Sequence, residues 1–405
     1  MTIRKLNPFR VPATVHRSAP ERRLQIVQPV PASALDRLDS VLRQHFHAPD
    51  TQATRVVMAT IKSHYLNLGD PAWIFVVAPP GSGKTTTTIM GAAGLPQVQI
   101  LGAWSASTFL SGMHGAVQPG LLEKLGPTFE TNKCFVTKGD GILISKDFTT
   151  VLAMQRDRRA EILSQLREIH DGQYRKDFGT GVTKIWCGRI TIIAAVTPAL
   201  DRAYSTASTL GERFLQVRWH RPARVAGARA IDQQTAEKQI SQDLTDAVRA
   251  VFDDAASAVP EISSAARDNL AAVADLVAIG RTHVYRASFG GREIEDVPEP
   301  EANTRVSKGL AAIARGDAAL QRKGDVDDDV LQDVYRVALD CIPPTRREVL
   351  LAVLGARPIP PGTTFARAVE DLQELGLLTR GAAALSPLAV ELVEESRLRE
   401  VMPMP

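Results

Sequence analysis

The sequence predicts an α/β fold built on a mainly parallel sheet, and two observations favour it. Short apolar runs recur within residues 1–220, at 73–78, 98–101, 142–145, 190–196 and 214–219. Helical segments separate most of these runs, and strands that alternate with helices form parallel sheets that are covered on both faces. After residue 220 the apolar runs nearly stop and helical periodicity replaces them.

The order of these patterns divides the chain into four predicted segments. Residues 1–31 contain five prolines and no periodic apolar pattern, which is typical of a loose arm. Residues 32–220 hold two helices, at 32–46 and 51–67, followed by the sheet, with a long helix at 149–170. Residues 221–342 are predicted to be helical, and residues 343–405 follow a Pro-Pro pair and form a last, small domain.

Composition excludes several classes of protein. A hydrophobic content of 44% with 23% charged residues is that of an ordinary globular chain, which excludes wholesale disorder. No run of eighteen apolar residues exists, so we expect no spanning helix and no membrane partner. The cysteines Cys134, Cys187 and Cys341 are far apart, which argues against a disulfide framework or zinc ribbon and favours a reducing cytoplasm.

Charge is unevenly distributed along the chain. Basic residues outnumber acidic ones in the segment 1–220, whereas acidic residues dominate the segment 221–340. Any electrostatic affinity for a polyanion is therefore expected in the basic segment. Aromatic residues make up only 5% of the chain, which argues against a stacking platform for single-stranded nucleic acid.

The strongest motif is the sequence APPGSGKT, which begins at Ala78 and directly follows the first predicted strand. Gly81 and Gly83 let backbone N–H groups turn around phosphate oxygens, and the next helix presents its N-terminus to the same anion. Lys84 would reach the β and γ phosphates and Thr85 would bind Mg²⁺. The predicted nucleotide-binding residues are Pro80, Gly81, Ser82, Gly83, Lys84, Thr85 and Thr86.

With this loop and the order of the later elements, the chain resembles the AAA+ ATPases over about residues 50–340. The resemblance implies a P-loop NTPase sheet with an α-helical lid, ATP and Mg²⁺ as cofactors, and assembly into a ring hexamer or helical filament. Members of the family end one strand in two carboxylates for Mg²⁺ and the attacking water. Here Lys146 stands at the first position and Asp147 at the second. Asp147 could instead cap the following helix, and Glu168 or Asp171 could supply the missing charge.

The resemblance also implies roles for three later residues. Thr197 stands where the family holds the γ-phosphate or its attacking water, although a turn residue before proline would look the same. Arg213 stands at the place of the arginine that reaches across a subunit interface to the neighbour's γ-phosphate; otherwise it is a surface arginine. Arg305 opens a lid helix, where the family has a second γ-phosphate contact, but it could equally pair with a lid acid.

A β-hairpin is predicted between residues 173 and 186, with its turn at residues 179–181. One branch of AAA+ proteins, which includes the minichromosome-maintenance helicases and viral replicative helicases, inserts a DNA-gripping hairpin at this point. Arg175, Lys176 and Lys184 would then contact DNA phosphates. The alternative is a structural hairpin that covers a sheet edge.

Residues 345–400 are similar to a winged-helix domain, with helices at 345–354, 364–378 and 388–399. The predicted recognition helix carries Glu370, Asp371 and Glu374, which would repel phosphates, so a protein-contact or ring-stabilising role is at least as consistent as base reading.

The combined parts predict an oligomeric ATPase that acts on DNA as a helicase, replication initiator or helicase loader, of a mobile element, with a replication or recombination protein as a further partner. The main alternative is an ATP-switched, DNA-bound regulator with slow hydrolysis, as in transposition. A protein remodeller without a nucleic-acid partner is a second alternative, with Tyr174, Phe178 and Trp186 as the aromatic residues available for a pore loop.

Overall fold

The computed structural model describes residues 33–46, 49–81, 92–105, 107–111, 119–201, 213–219, 227, 231, 235–287 and 293–402. The strands in these ranges are β1 (Trp73–Val77), β2 (Val98–Leu101), β3 (Thr128–Thr131), β4 (Cys134–Lys138), β5 (Gly141–Ser145), β6 (Gln173–Asp177), β7 (Thr183–Cys187), β8 (Ile190–Val196), β9 (Phe214–Arg218), β10 (Tyr285–Arg286) and β11 (Ile294–Asp296). The helices are α1 (Ala34–His45), α2 (Thr51–Tyr65), α3 (Thr149–Leu152), α4 (Arg156–His170), α5 (Glu237–Asp254), α6 (Ser264–Arg281), α7 (Thr304–Leu320), α8 (Asp328–Asp340), α9 (Pro344–Leu354), α10 (Thr363–Glu374), α11 (Pro387–Glu395) and α12 (Leu398–Val401).

The central sheet has the order β2-β5-β8-β1-β9, and all four of its strand pairs are parallel. This confirms the predicted α/β fold with a mainly parallel sheet. Strands β1, β5 and β8 are buried at every position, because their continuous apolar runs lie between layers on both faces. The five strands therefore end at one edge, here called the carboxyl edge, and begin at the opposite amino edge.

The strand order creates a switch in the direction of the connections. From β1 the chain passes to β2 at one end of the strand order, and from β8 it passes to β9 at the opposite end. In open α/β sheets, a reversal of this kind is where a ligand-binding crevice is expected, outside the carboxyl ends of the adjacent strands β1 and β8. The loop that begins at Ala78 leaves β1 at this crevice.

A second sheet, with the order β3-β4-β7-β6, extends from the amino edge. Strand β4 continues into β5, and β7 continues into β8, each after two residues. The predicted hairpin is present as the antiparallel pair β6 and β7. Strands β3 and β4 were not predicted, because every residue of β3 is exposed and the segment lacks the apolar pattern of a buried strand.

The predicted helix at 149–170 is divided into α3 and α4. The chain turns at Gln155, whose ψ of 148° is extended rather than helical. The Arg159 guanidinium donates to the carbonyl oxygens of Leu152 at 2.9 Å and Met154 at 3.3 Å. These bonds satisfy carbonyl groups at the end of α3 that no further helical turn can reach.

The helices form a continuous apolar core with one face of the sheet. Helix α2 packs closely on α7, where a side chain at Gly316 would overlap the carbonyl oxygen of Ala59. The same hydrophobic cluster runs from Leu38 in α1 to Leu398 in α12, so residues 343–402 share their core with the preceding helices. In the segment that resembles a winged-helix domain, Leu378 and Leu385 form an isolated antiparallel bridge. None of the described helices combines the length and apolarity needed to cross a bilayer.

A buried carboxyl group lies where α2, α7 and α8 meet. Asp317 is 1% exposed, and its Oδ2 accepts a hydrogen bond from Gln321 Nε2 at 2.7 Å. Burial, reinforced by the nearby Asp333 carboxylate, raises the pKa of Asp317 to about 7. The Arg55 guanidinium lies 3.3 Å from Asp333 and offsets part of this effect. The carboxyl of Asp317 therefore keeps its proton in the folded chain at pH values where an exposed aspartate loses it.

This proton links stability to pH. The unfolded chain releases the Asp317 proton near pH 4, whereas the folded chain retains it to about pH 7. Unfolding between these values therefore releases a proton, so the free energy of unfolding contributed by this group falls by about 1 kcal/mol per pH unit as the pH rises. We expect Asp317→Asn to flatten the pH dependence of the urea midpoint between pH 5 and 7. The exposed Asp268→Asn on α6 is the control, and a wild-type slope in the Asp317 variant would contradict the assignment.

Candidate functional site

The phosphate-loop motif leaves strand β1 at the carboxyl edge. Ala78 continues the ladder beyond β1, since its N–H donates to the carbonyl oxygen of Val196 at 3.0 Å. Pro80 and Gly81 are exposed at the crevice, and Gly81 has a φ of +73°, a left-handed conformation that favours glycine. The predicted nucleotide contacts at Ser82, Gly83, Lys84, Thr85 and Thr86 lie outside the described residues.

Asp147 and Thr197 are brought together at this edge by a third residue, Thr149. The backbone N–H of Thr149 donates to Asp147 Oδ1 at 2.9 Å, and its hydroxyl lies 3.3 Å from Thr197 Oγ1. The N–H of Thr197 donates to the Thr149 hydroxyl at 3.0 Å. The cluster joins the ends of β5 and β8 beside the loop of β1, which is the arrangement that the motif spacing predicted. Thr149 was missed, because a threonine at a helix start looks like an ordinary first-turn residue.

The helix-capping alternative for Asp147 is also present, because one of its oxygens accepts from the first N–H of α3. Asp147 remains exposed, so capping leaves its carboxylate accessible to solvent and to a cation. Lys146 beside it is exposed, and the preceding Ser145 is buried and accepts a hydrogen bond from Trp104 Nε1 at 2.7 Å. Among the described residues, no group of three or more His, Cys, Asp or Glu side chains could hold a metal ion.

The interpretation that Glu168 or Asp171 supplies the missing carboxylate is wrong. Helix α4 carries the chain from the carboxyl edge to the amino edge, and both residues lie at its far end. Asp171 contacts Arg213, which precedes β9, at 3.2 Å. Asp147 therefore has neither Glu168 nor Asp171 as a carboxylate neighbour.

A charged network that the sequence did not reveal fixes the helices to the carboxyl edge. Arg218, at the end of β9, donates to both carboxylate oxygens of Asp201, at 2.7 and 3.0 Å. Its backbone N–H donates to the buried Asp340 of α8 at 2.7 Å. Arg336 of the same helix binds Asp50 and the carbonyl oxygen of Arg218. No sequence pattern predicts these ion pairs and hydrogen bonds, because most of the partners are far apart in the chain.

Arg213 lies at the amino edge, immediately before β9, and is therefore on the side of the sheet opposite Gly81. Its side chain is only 6% exposed and forms an ion pair with the Asp171 carboxylate at 3.2 Å. The position agrees with a residue that serves a neighbouring subunit, because its own loop is out of reach. In this conformation the Arg213 side chain is buried, so it does not extend towards a neighbouring subunit.

Arg305 is also at the amino edge, where it lines a groove with Trp73 and Arg213. Trp73 begins β1, whereas the phosphate loop follows its end, about 16 Å away at the rise of a five-residue strand. An arginine side chain cannot span this distance. Arg305 therefore lies at the edge opposite the start of the loop of its own chain, and its assignment as a γ-phosphate contact stays a prediction.

The hairpin does not present its three basic residues to solvent in the predicted way. Lys184 is buried and pairs with Glu123 Oε1 at 2.7 Å, so its assignment as a DNA contact is wrong. Lys176 is half-buried, with its Nζ 4.0 Å from Glu161 and 5.8 Å from the centre of the Phe178 ring. Arg175 is the most exposed of the three, with 61% of its side chain accessible, and it pairs with Asp177.

Two of the three aromatic residues proposed for a pore loop belong to the core. Tyr174 is 4% exposed and Trp186 is fully buried, with its Nε1 donating to the carbonyl oxygen of Gly139 at 3.0 Å. Phe178 packs against the same cluster from the turn. These placements remove the feature that supported a protein remodeller.

Of the acidic residues on the predicted recognition helix, α10, Asp371 is turned towards the protein, whereas Glu370 and Glu374 are exposed. Asp371 accepts from Arg286 of β10 at 2.6 Å and from Arg346 of α9 at 3.0 Å. Glu370 also binds Arg286, at 3.2 Å. The residues that would repel DNA therefore fix the C-terminal unit to the helical block, which favours the structural role over base reading.

Comparison of the chain with protein-family models and with curated proteins finds no match. The functional interpretation therefore depends on the motifs and on the geometry described above.

Proposed function

We propose that the chain is a Mg²⁺-dependent ATPase of the AAA+ type. The observation that carries the proposal is the position of the APPGSGKT loop. It leaves the buried strand β1 at the carboxyl edge, beside the end of β8, with Asp147 and Thr197 joined through Thr149 at the same edge. A phosphate held by this loop would lie beside a carboxylate for Mg²⁺ and a hydroxyl for the attacking water.

In this proposal, a second copy of the chain completes the ATP-binding site. The basic residues of the amino edge cannot reach their own loop, so a ring or filament that joins the amino edge of one copy to the carboxyl edge of the next would bring them to the γ-phosphate. Such a head-to-tail contact is heterologous and generates a closed ring or an open filament. The rotation between neighbouring copies at this contact decides whether a closed ring, such as a hexamer, or an open filament forms. In a ring it also sets the number of copies.

DNA is the proposed substrate of the assembly. The excess of basic over acidic residues in the segment 1–220 and the exposed Arg175 side chain support it. Within this proposal the assembly works as a helicase, replication initiator or helicase loader of a mobile element, together with a replication or recombination protein.

The second candidate is an ATP-switched assembly factor that hydrolyses slowly. Lys146 favours it, because an exposed lysine stands where a carboxylate would order Mg²⁺, and neither Glu168 nor Asp171 lies at this edge. A lysine beside Asp147 also weakens the attraction of this site for a divalent cation. The chain would then assemble when ATP is bound, and slow hydrolysis would limit how long the assembly lasts.

The test is the rate of ATP hydrolysis by the full chain, alone and with duplex or single-stranded DNA, at about 0.1 M salt so that non-specific phosphate binding is not exaggerated. Fast hydrolysis that DNA stimulates is expected for the motor. Slow hydrolysis with ATP-dependent filaments on duplex DNA would favour the switch. Binding of ATP without any effect of DNA would remove DNA from the proposal.

A further inference from the structure

Strand β3 forms an open edge of the second sheet. Among the described residues its only strand neighbour is β4, and all four of its residues are exposed. Phe129 is 58% exposed, more than any other Phe, Tyr or Trp that the structure describes. Native edge strands are usually protected by proline, lysine or a bulge. The strand sequence TFET contains neither of these residues, and its pairing with β4 is regular, so β3 can accept a further strand.

The turn between β3 and β4 fixes the phase of their hydrogen bonds. Asn132 and Lys133 form this turn, with φ values of 48° and 61°. They connect Thr131 to Cys134, which lie directly opposite each other. In a two-residue hairpin with positive φ at both turn positions, the closing pair exchanges both backbone hydrogen bonds. Every second residue of β3, counted from Thr131, therefore turns its backbone groups towards β4.

The intervening residues, Thr128 and Glu130, direct their backbone N–H and C=O groups to the open side. The N–H of Lys138 donates to the carbonyl oxygen of Pro127 at 3.2 Å, which is the hydrogen bond that this phase requires just before β3. The edge thus offers two donors and two acceptors, with Phe129 between them. An added strand can form four backbone hydrogen bonds here.

Phe129 also ends an apolar row on the open face of the second sheet. Its in-register neighbours are Val136 in β4 and Ile185 in β7, and both are half-buried. The opposite face of the sheet, which carries Tyr174 and Trp186, packs on the core. The row therefore reaches the free edge at the residue that an added strand would cover first.

We propose that two copies of the chain join through β3, antiparallel and centred on Phe129, so that their second sheets form one sheet of eight strands. In this register Thr128 of each copy is opposite Glu130 of the other, and these two pairs use all four free groups. The two Phe129 rings meet at the position between them, where opposite side chains are closest.

The other symmetric registers that keep the hydrogen-bond phase are poorer. A pair centred on Glu130 uses half of the free groups and places two carboxylates opposite each other. A pair centred on Thr128 also uses half of the free groups. The edge of β3 is thus complementary to itself in one register, which is the reason for choosing a second copy as the added strand.

This contact is isologous, whereas the contact in the proposed function is head-to-tail. It needs no nucleotide, goes beyond the proposed function and does not depend on it. A four-residue strand gives a contact well below the standard interface size of about 1,600 Å², so association through β3 alone is expected to depend on concentration. In a ring or filament, several such contacts would act together and join two assemblies.

Phe129→Cys tests the register by trapping the pair. Opposite residues at this kind of position have Cα atoms about 4.5 Å apart, within the range of a disulfide, so mild oxidation should convert most of the variant into a covalent dimer. Thr131→Cys is the matched control, because it is exposed on the same strand and face. In the proposed register its counterpart lies about 13 Å further along the strand, and it should not cross-link. The oxidised wild type, whose cysteines all lie outside β3, gives the background.

Glu130→Pro tests the edge hydrogen bonds, because it removes a free N–H and leaves the pairing with β4 intact. In sedimentation without nucleotide over a concentration series, the wild type should reach twice the mass of this variant. Glu130→Gln keeps the N–H and should associate as the wild type does. Failure of Phe129→Cys to cross-link, equal cross-linking of Thr131→Cys, or wild-type association of Glu130→Pro would each overturn the inference. Since no nucleotide is present, none of these results bears on the proposed ATPase.

Discussion

Lys84→Ala is expected to weaken ATP binding at least ~100-fold, because the variant removes the main counter-charge of the bound phosphates. Gly81 has the left-handed φ expected at the start of a phosphate-binding loop, but backbone N–H groups alone supply only partial charges. ATP-dependent assembly should be lost with binding. Titration with a fluorescent ATP analogue measures the first effect, and sedimentation with and without ATP measures the second.

The control for this variant is Lys124→Ala. Lys124 is an exposed lysine in the short 3₁₀ helix Leu122–Lys124, away from the crevice. Its removal changes the net charge by the same amount and should leave both measurements unchanged. Wild-type ATP affinity in Lys84→Ala would show that the APPGSGKT loop is not the nucleotide site, whatever the sheet around it suggests.

The central sheet and the carboxyl edge could be predicted from the sequence, because both depend on local patterns. A buried parallel strand needs a continuous apolar run, and the runs at β1, β5 and β8 are unbroken. Since parallel strands end at one edge, the motifs that follow them must meet there. This is why Asp147 and Thr197 lie together.

Residues whose surroundings come from distant parts of the chain could not be placed in this way. Glu123, the partner of Lys184, lies 61 residues earlier in the chain. The sequence pattern of an alternating strand gives no sign that one of its buried positions is a lysine, because buried positions are usually apolar. Arg305 opens a helix, as expected, but the edge at which that helix begins is decided by its packing on α2. The order of the motifs along the chain predicted which helix or strand each of these residues belongs to. It did not predict which other residues surround it in the fold.

Lys184→Ala is expected to lower the free energy of unfolding by about 3–5 kcal/mol, because it leaves the Glu123 carboxylate buried without its counter-charge. The two side chains are 8% and 11% exposed. Glu123 also accepts from the backbone N–H of Gly120 at 2.6 Å, which holds the charge in place when the lysine is removed. Urea unfolding measures the loss. A double variant, Lys184→Met with Glu123→Gln, should recover most of it, since no buried charge remains.

The neighbouring Arg175→Ala separates this structural role from DNA binding. Arg175 and its partner Asp177 are about 60% exposed, so loss of the Arg175 side chain should leave the free energy of unfolding close to that of the wild type. If the outer face of the hairpin contacts DNA, the same variant should weaken binding and reduce the salt dependence by about one phosphate contact. The opposite pattern, with Lys184→Ala stable but deficient in DNA binding, would restore the hairpin lysine as a DNA contact. Fluorescence anisotropy over a salt series, measured on both variants, decides between the two roles.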